Sequence, residues 1–274
     1  MYSEIQHFQP LKAKMEKEGA IPGSINGKRL KMSEIEGNSK YGTDTLEVIS
    51  GANRFNRWMY ETIKPHCSGE ILEIGSGIGN ISQFFIKEGA DISLSDIENS
   101  YFPRLKQKFG EFPNLKSMHR LNFSDKNLEK NFPELLNRFD TIFALNVVEH
   151  IPDDVQAMEN AMKMLKPGGK IVILVPAIQW LYNEFDRQLE HQRRYSKKSL
   201  QKLLEGAGFS VIHRQYFNFI AIFGWFISGT ILRKRIIPNG QMRFYDALVP
   251  VWKRIDFFTR KLAGISVIQV GVKK

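Results

Sequence analysis

With 274 residues the chain can bury roughly three quarters of its unfolded surface, enough for one domain with additions or two small ones. A single cysteine, Cys67, excludes an internal disulfide and a cysteine-rich metal site. The net charge of +10 favours anionic partners without choosing among membrane, nucleic acid and phosphorylated ligand. No apolar run opens the chain, so the cytoplasm is the expected compartment.

Residues up to about Tyr41 are polar and weakly patterned, with Pro22-Gly23 and Asn26-Gly27 as turn signals, and read as a mobile arm. From Thr45 to His66 the residues Phe55, Trp58, Met59 and Ile63 recur at helical spacing. Residues 1–64 are therefore read as an N-terminal arm and helical lid. Next, Ile71, Leu72 and Ile74 form a short apolar run of the kind a parallel sheet hides on both faces. Gly75, Gly77 and Gly79 follow, allowing a sharp turn and close approach of a ligand to the backbone. A helix pattern comes at once, with Ile81, Phe84 and Phe85 on one face and Gly89 placed to end it. The free amides at such a helix start make a ligand cradle.

A second strand, Asp91 to Asp96, ends in an acid at the spacing where nucleotide-binding folds meet the ribose hydroxyls. A helix interrupted by Pro103 and a strand through Met118 to Phe123 come next. Phe139 to Pro152 reads as a fourth strand and its loop. Asp153 and Asp154 open a helix carrying Met158, Met162 and Leu165, and Leu165-Lys-Pro-Gly-Gly169 turns into a fifth strand, Lys170 to Pro176. The stretch Gln179 to Tyr195 mixes aromatics with Asp186, His191, Arg193 and Arg194. Ser196 caps a helix to about Ala207; strands are expected over Phe209–Phe217 and Ile265–Gly271. Between the last two lies the apolar run Phe217 to Leu232, followed by Arg233-Lys-Arg235. It reads either as a buried cap helix or as a surface-lying helix that meets a membrane through 217–235.

The pattern Glu73-x-Gly75-x-Gly77-x-Gly79, with Asn80 where a dinucleotide fingerprint wants glycine, resembles the first motif of class I S-adenosylmethionine-dependent methyltransferases. The acid-ended second strand, the fourth strand with its Asn146-Val-Val-Glu149-His150 loop, and the Lys166-Pro-Gly-Gly169 turn follow in the family's order. The resemblance implies an α/β fold: a doubly wound, mostly parallel seven-stranded sheet, with an N-terminal helical segment and a helical insertion before the last strand. Its core is 65–217 with 265–274, and the cap is 218–264. The implied cofactor is S-adenosylmethionine. Glu73 would orient its methionine end, Gly75, Ser76, Gly77 and Gly79 would pack on it, and Asp96 would accept the ribose hydroxyls. Ile97, Asn122 and Phe123 would meet the adenine, and Asn146 would line the same cleft.

The implied reaction is methyl transfer to a small or lipid-linked acceptor, expected at a hydroxyl or carboxyl oxygen. His150 and His191 are the candidate bases, because histidine titrates near neutrality. Glu149, Tyr182, Asp186, Arg194 and Tyr195 are the expected substrate contacts at the carboxyl edge of the sheet. Asn146 to His150 also resembles a metal-binding E-x-x-E-H of some superfamily members, but Asn146 replaces the first acid and no metal is expected. A nicotinamide-dependent oxidoreductase is disfavoured by Asn80 and by the Lys166 to Gly169 turn. A nucleic-acid partner, as ligand or methyl acceptor, is not expected: the basic residues are dispersed and no recognition or base-methylation motif is present. The sequence leaves the oligomeric state open.

Overall fold

The computed structural model describes residues 24–25, 28–29, 47–234 and 239–274. Expectations for the arm up to Tyr41, apart from one hairpin, and for Thr45 and Arg235 lie outside the described residues. Contacts divide the chain into residues 1–40 and 41–274. The first unit contributes an antiparallel hairpin, β1 (Ser24–Ile25) and β2 (Lys28–Arg29), flanking the Asn26-Gly27 turn signal.

The second unit is built on a seven-stranded sheet of order β5-β4-β3-β6-β7-β9-β8. Its strands are β3 (Ile71–Ile74), β4 (Ile92–Asp96), β5 (Leu115–Arg120), β6 (Phe139–Leu145), β7 (Leu165–Pro176), β8 (Phe209–Phe217) and β9 (Ser266–Lys273). β3 to β7 run parallel, and β9 lies antiparallel between β7 and β8. The doubly wound, mostly parallel sheet expected from the motifs is the one observed.

Successive side chains on a strand point to opposite faces, and both faces here are covered by apolar residues. Leu72, Ile74, Ile142, Ile171 and Val267 pack into one buried cluster with Met158 and Leu200. Ile71, Leu94, Phe143, Val172 and Ile268 pack into the other with Trp58, Ile63 and Phe85. The helices supplying these covers are α1 (Asn53–Ile63), α2 (Ser82–Lys87), α3 (Phe102–Phe109), α4 (Leu128–Asn131), α5 (Asp154–Met164) and α7 (Lys197–Gly206), while α6 (Glu184–Gln188) lies in the segment after β7 and packs Phe185 against Trp225. Ser196 caps α7 and Asp153 caps α5, each side chain accepting a backbone N–H of the first turn.

Two expectations need correcting. Pro103 starts α3 rather than interrupting it, because its missing N–H costs nothing in the first turn. Lys166 to Gly169 is not a free turn before β7 but a bulge within it: the register to β6 jumps from Phe139↔Leu165 to Thr141↔Lys170, with Gly168 at φ 76°.

The cap follows β8 as α8 (Ala221–Trp225), a π-helix (Phe226–Ile231), α9 (Asn239–Ala247) and α10 (Val249–Thr259). The apolar run is thus split into two short pieces. Among the described residues no helix is long and apolar enough to cross a membrane. Gly229 explains the close seating of the π-helix, since a Cβ there would lie 2.4 Å from the Asn183 side chain. Phe217, the first residue of the apolar run, ends β8 and is buried in the core; Trp225 is half-buried against Phe185. Phe223, Phe226, Ile227, Ile231 and Leu232 remain exposed.

Candidate active site

The carboxyl ends of β3, β4 and β6 bring two groups of residues together. In the first, the turn after β3 holds Gly75, Gly77 and Gly79 at φ values of 72°, 50° and 80°, the left-handed region that glycine enters freely. A Cβ at Gly75 would strike the Val147 side chain at 2.4 Å, and one at Gly79 would strike the Phe109 ring at 2.5 Å. The glycines therefore let the turn sit tight against the β6 loop and α3 as well as against a ligand.

Asp96 ends β4 as expected, and its carboxylate is already committed to the chain. One oxygen accepts the Gly77 N–H at 2.8 Å and the other the Glu98 N–H at 2.9 Å. The remaining lone pairs stay available for a diol, so the residue braces the glycine turn while presenting an acceptor. Ile97 beside it is an exposed apolar side chain, suited to covering an aromatic ring. Glu73 lies beneath, buried and bonded to the Ser82 hydroxyl. Burial pushes its carboxyl up to about 8, against the pull of Ser82 and with a further push from Asp96. A dinucleotide or S-adenosyl cofactor fits this cradle: flexible turn, paired acceptor and apolar plate are all in place.

Two expected cofactor side chains, Ser76 and Phe123, are engaged elsewhere in the chain, and a third, Asn146, stays exposed. Ser76 bonds both ways with the Ser95 backbone at 3.2 Å, tying the turn to β4 instead of facing a ligand. The Phe123 ring is buried in the core cluster that includes Leu121, Leu128 and Met158, whereas Asn122 beside it is exposed. Asn146 is exposed with φ 54°, opening the sharp loop after β6.

The second group joins that loop to the segment after β7. Glu149 is fully buried, and neither of its carboxylate oxygens has a hydrogen-bond partner. Burial pushes it up to about 8, opposed by the residue's own backbone N–H and then by Arg194, and aided by Asp186. His191 Nδ1 lies 2.8 Å from Asp186 Oδ1, which makes that nitrogen the N–H donor and leaves Nε2 with its lone pair. That lone pair faces Glu149 Oε1 at 4.0 Å. His150 stacks edge-on against His191, ring centroids 4.8 Å apart, with part of the residue in solvent. Desolvation and then the neighbouring His191 hold the His150 imidazole below its ordinary value.

Asp186 is itself pinned. Arg194 Nε donates to it at 2.8 Å, Arg194 also donates to the Ala177 carbonyl at 2.9 Å, and its guanidinium lies over the Trp225 ring at 4.9 Å. Four of the five expected substrate contacts already hold polar partners within the chain. Asp186 and Arg194 are consumed by this buried brace. The Tyr195 hydroxyl donates to Asp154 at 2.7 Å from within the core, and the Tyr182 hydroxyl donates to the His191 carbonyl at 2.8 Å. Only Glu149 keeps unspent capacity. Sequence reasoning missed Asn183, which caps α6 in a reciprocal box with Asp186 and reaches Thr230 of the cap at 3.2 Å. Its spacing to Asp186 is the readable signal; the contact to the cap is not.

A family model described as a methyltransferase domain matches residues 50–214. Lovastatin nonaketide synthase of Monascus pilosus is 31% identical over 140 residues, 50% of this chain but 4% of that protein. A ubiquinone biosynthesis O-methyltransferase of Erwinia tasmaniensis is 24% identical over 125 residues, 43% of this chain and 49% of that enzyme. The chain thus spans a small part of the synthase relatives and about half of the ubiquinone enzyme. Among solved structures, a SAM-dependent methyltransferase from Archaeoglobus fulgidus matches with TM-score 0.53 at 15% identity, over 80% of this chain and 94% of that one. Haemonchus contortus phosphoethanolamine N-methyltransferase 2, in complex with S-adenosyl-L-methionine, matches with TM-score 0.51 at 19% identity, over 80% and 52%. Likeness at such identity speaks to the fold.

Proposed function

Since the chain belongs to the methyltransferase-domain family and is an S-adenosylmethionine-dependent methyltransferase, we propose that it methylates an oxygen of a small or lipid-linked acceptor seated over Glu149, His150 and His191. The cofactor supplies an electrophilic methyl on a sulfonium, so the chain's task is to hold and ionise the acceptor. Gly75, Gly77 and Gly79 with Asp96 hold the cofactor; Ile97 covers its adenine. Glu73 orients its methionine end through the turn it supports.

The observation that carries the oxygen reading is the Asp186–His191 pair. A buried carboxylate holds Nδ1 of the imidazole and leaves Nε2 turned to Glu149, and an imidazole oriented in this way is what a general base requires. His191 takes the acceptor's proton, with His150 as the neighbouring alternative. The ubiquinone O-methyltransferase among the relatives supports oxygen as the acceptor atom, and the polyketide synthase relatives support a polyketide-type acceptor.

Apolar side chains beside this segment support a hydrophobic acceptor approached from a membrane face. Trp180, in the short turn Gln179–Leu181 after β7, is 71% exposed, and its ring meets exposed Phe226 at 6.1 Å. The test is product identification by mass spectrometry with isotopically labelled S-adenosylmethionine, against glycan, quinone, polyketide and fatty acceptors. An O-methylated product that is lost in His191→Asn and His150→Asn, with S-adenosylhomocysteine affinity kept, supports the reading. Wild-type turnover in both variants would leave positioning alone and remove the base.

A further inference from the structure

We infer that the groove between α1 and α10 binds a phosphate-headed amphiphile, one anionic head carrying an apolar chain. The groove is open and about 810 Å³ in volume, within the range of small-ligand sites. Its lining joins two chemistries. Arg54, Arg57, Lys253 and Arg254 set four cations against one carboxylate, Glu61. Val249, Pro250, Phe257 and Phe258 supply the apolar part.

Three of the basic side chains are held in place. Arg54 donates to the Ala247 carbonyl at 3.3 Å, tying α1 to the end of α9, and the Arg57 guanidinium lies over the Phe84 ring at 4.9 Å. Lys253 pairs with Glu61 at 2.5 Å, so the one carboxylate is neutralised. Arg254 is exposed and has no ion pair or hydrogen bond among the described residues. A guanidinium fork matches phosphate oxygens, and a phosphate monoester carries about two negative charges, which suits this surplus of cations.

The aromatic pair accounts for the chain. Phe257 and Phe258 are 62% and 77% exposed with ring centroids 5.3 Å apart, and Leu262, just beyond α10, is exposed as well. A free anion would meet the cations and leave these side chains in water, whereas an attached chain would cover them. A second copy of this chain fits less well, because a two-fold contact would set the four cations against their own copies.

The groove begins at the sheet edge where the candidate active site is built. Phe55 and Trp58 of α1 pack on Phe217, which ends β8, at 6.3 and 4.5 Å, whereas His66, just past α1, meets His213 in mid-strand at 4.6 Å. β8 runs parallel to β7, so α1 starts at the carboxyl edge and leads away from it, with Arg54 and Arg57 in its first turns. An amphiphile held here stays on the side from which a lipid-linked acceptor would come. That use rests on the acceptor reading above; the binding does not. One such anchor gives only marginal retention on a membrane, so it adds to the exposed cap residues without replacing them.

The site is tested on the full-length protein by calorimetry with dihexanoyl phosphatidic acid below its critical micelle concentration. One molecule should bind per chain. Arg254→Glu, and Phe257→Ser with Phe258→Ser, should each weaken binding by about tenfold or more. All three positions are exposed, and retained S-adenosylhomocysteine binding reports that the variants fold. Two further titrations separate head from chain. Glycerol 3-phosphate, the head alone, and dihexanoyl phosphatidylcholine, the chains on a head without net charge, should each bind about tenfold more weakly or worse. Equal affinity for glycerol 3-phosphate would make the groove a free-phosphate site, and equal affinity for phosphatidylcholine a plain apolar contact; either overturns the inference. So does no stoichiometric binding by the wild type, or wild-type affinity in either variant. Methyl transfer is not read, so failure here leaves the oxygen-acceptor reading standing.

Discussion

Glu73→Gln isolates the cost of placing a carboxyl beneath the glycine turn. Burial raises this group from its ordinary 4.5 to about 8. The folded chain therefore keeps a proton that the unfolded chain releases, and stability falls as pH climbs between those values. Below 4.5 both states are protonated and the effect vanishes; above 8 both are ionised and the penalty is constant. At ~1.4 kcal/mol for each unit of difference, the penalty reaches about 3 kcal/mol at pH 7 and levels near 5 kcal/mol above pH 8. Glutamine has nearly the same shape, keeps a bond to the Ser82 hydroxyl and carries no proton to lose. Urea unfolding of both proteins at half-unit steps from pH 5 to 9 reads the difference directly, since all other groups cancel. The variant should gain on the wild type by about 1.4 kcal/mol per pH unit through the middle of the window, then hold its lead. Parallel stability curves would mean that Glu73 is ionised in the fold and hydrated in a way the buried site does not show.

Other substitutions probe the remaining parts of the site. Asp96→Ala should weaken S-adenosylhomocysteine binding by roughly 1–3 kcal/mol in calorimetry, because the charged acceptor of the ribose is lost; an unchanged dissociation constant would place the ribose elsewhere. The same titration with NAD should show no useful affinity. Arg194→Met leaves Asp186 buried with one cation fewer and should cost about 3–5 kcal/mol in urea unfolding. A loss under ~1 kcal/mol would show that Arg194 is not what holds the loop. Phe223→Ser with Phe226→Ser should abolish salt-sensitive co-sedimentation with anionic vesicles, whereas a wild type that stays in the supernatant at low salt would remove the membrane approach.

The glycine turn, the acid ending β4 and the bounds of β8 were legible because each is written in neighbouring residues. Left-handed φ values call for Gly75, Gly77 and Gly79, and a period-two apolar pattern needs only adjacent positions. The mostly parallel sheet was implied by the family resemblance of those motifs, whereas the strand order is seen only in the fold. What tertiary structure decided is which polar side chains were spoken for. Ser76, Asp186, Arg194 and Tyr195 look like ligand contacts in the sequence, at the edge where ligands bind. Ser76, Arg194 and Tyr195 meet Ser95, Ala177 with Trp225, and Asp154 from other segments, while Asp186 meets His191 and Arg194 within its own stretch. Glu149 is the reverse, an acid singled out in the sequence as a substrate contact that the fold buries with no side-chain donor. A buried polar group must be satisfied, but its partner is chosen by packing of segments far apart in the chain, and no local spacing encodes that choice.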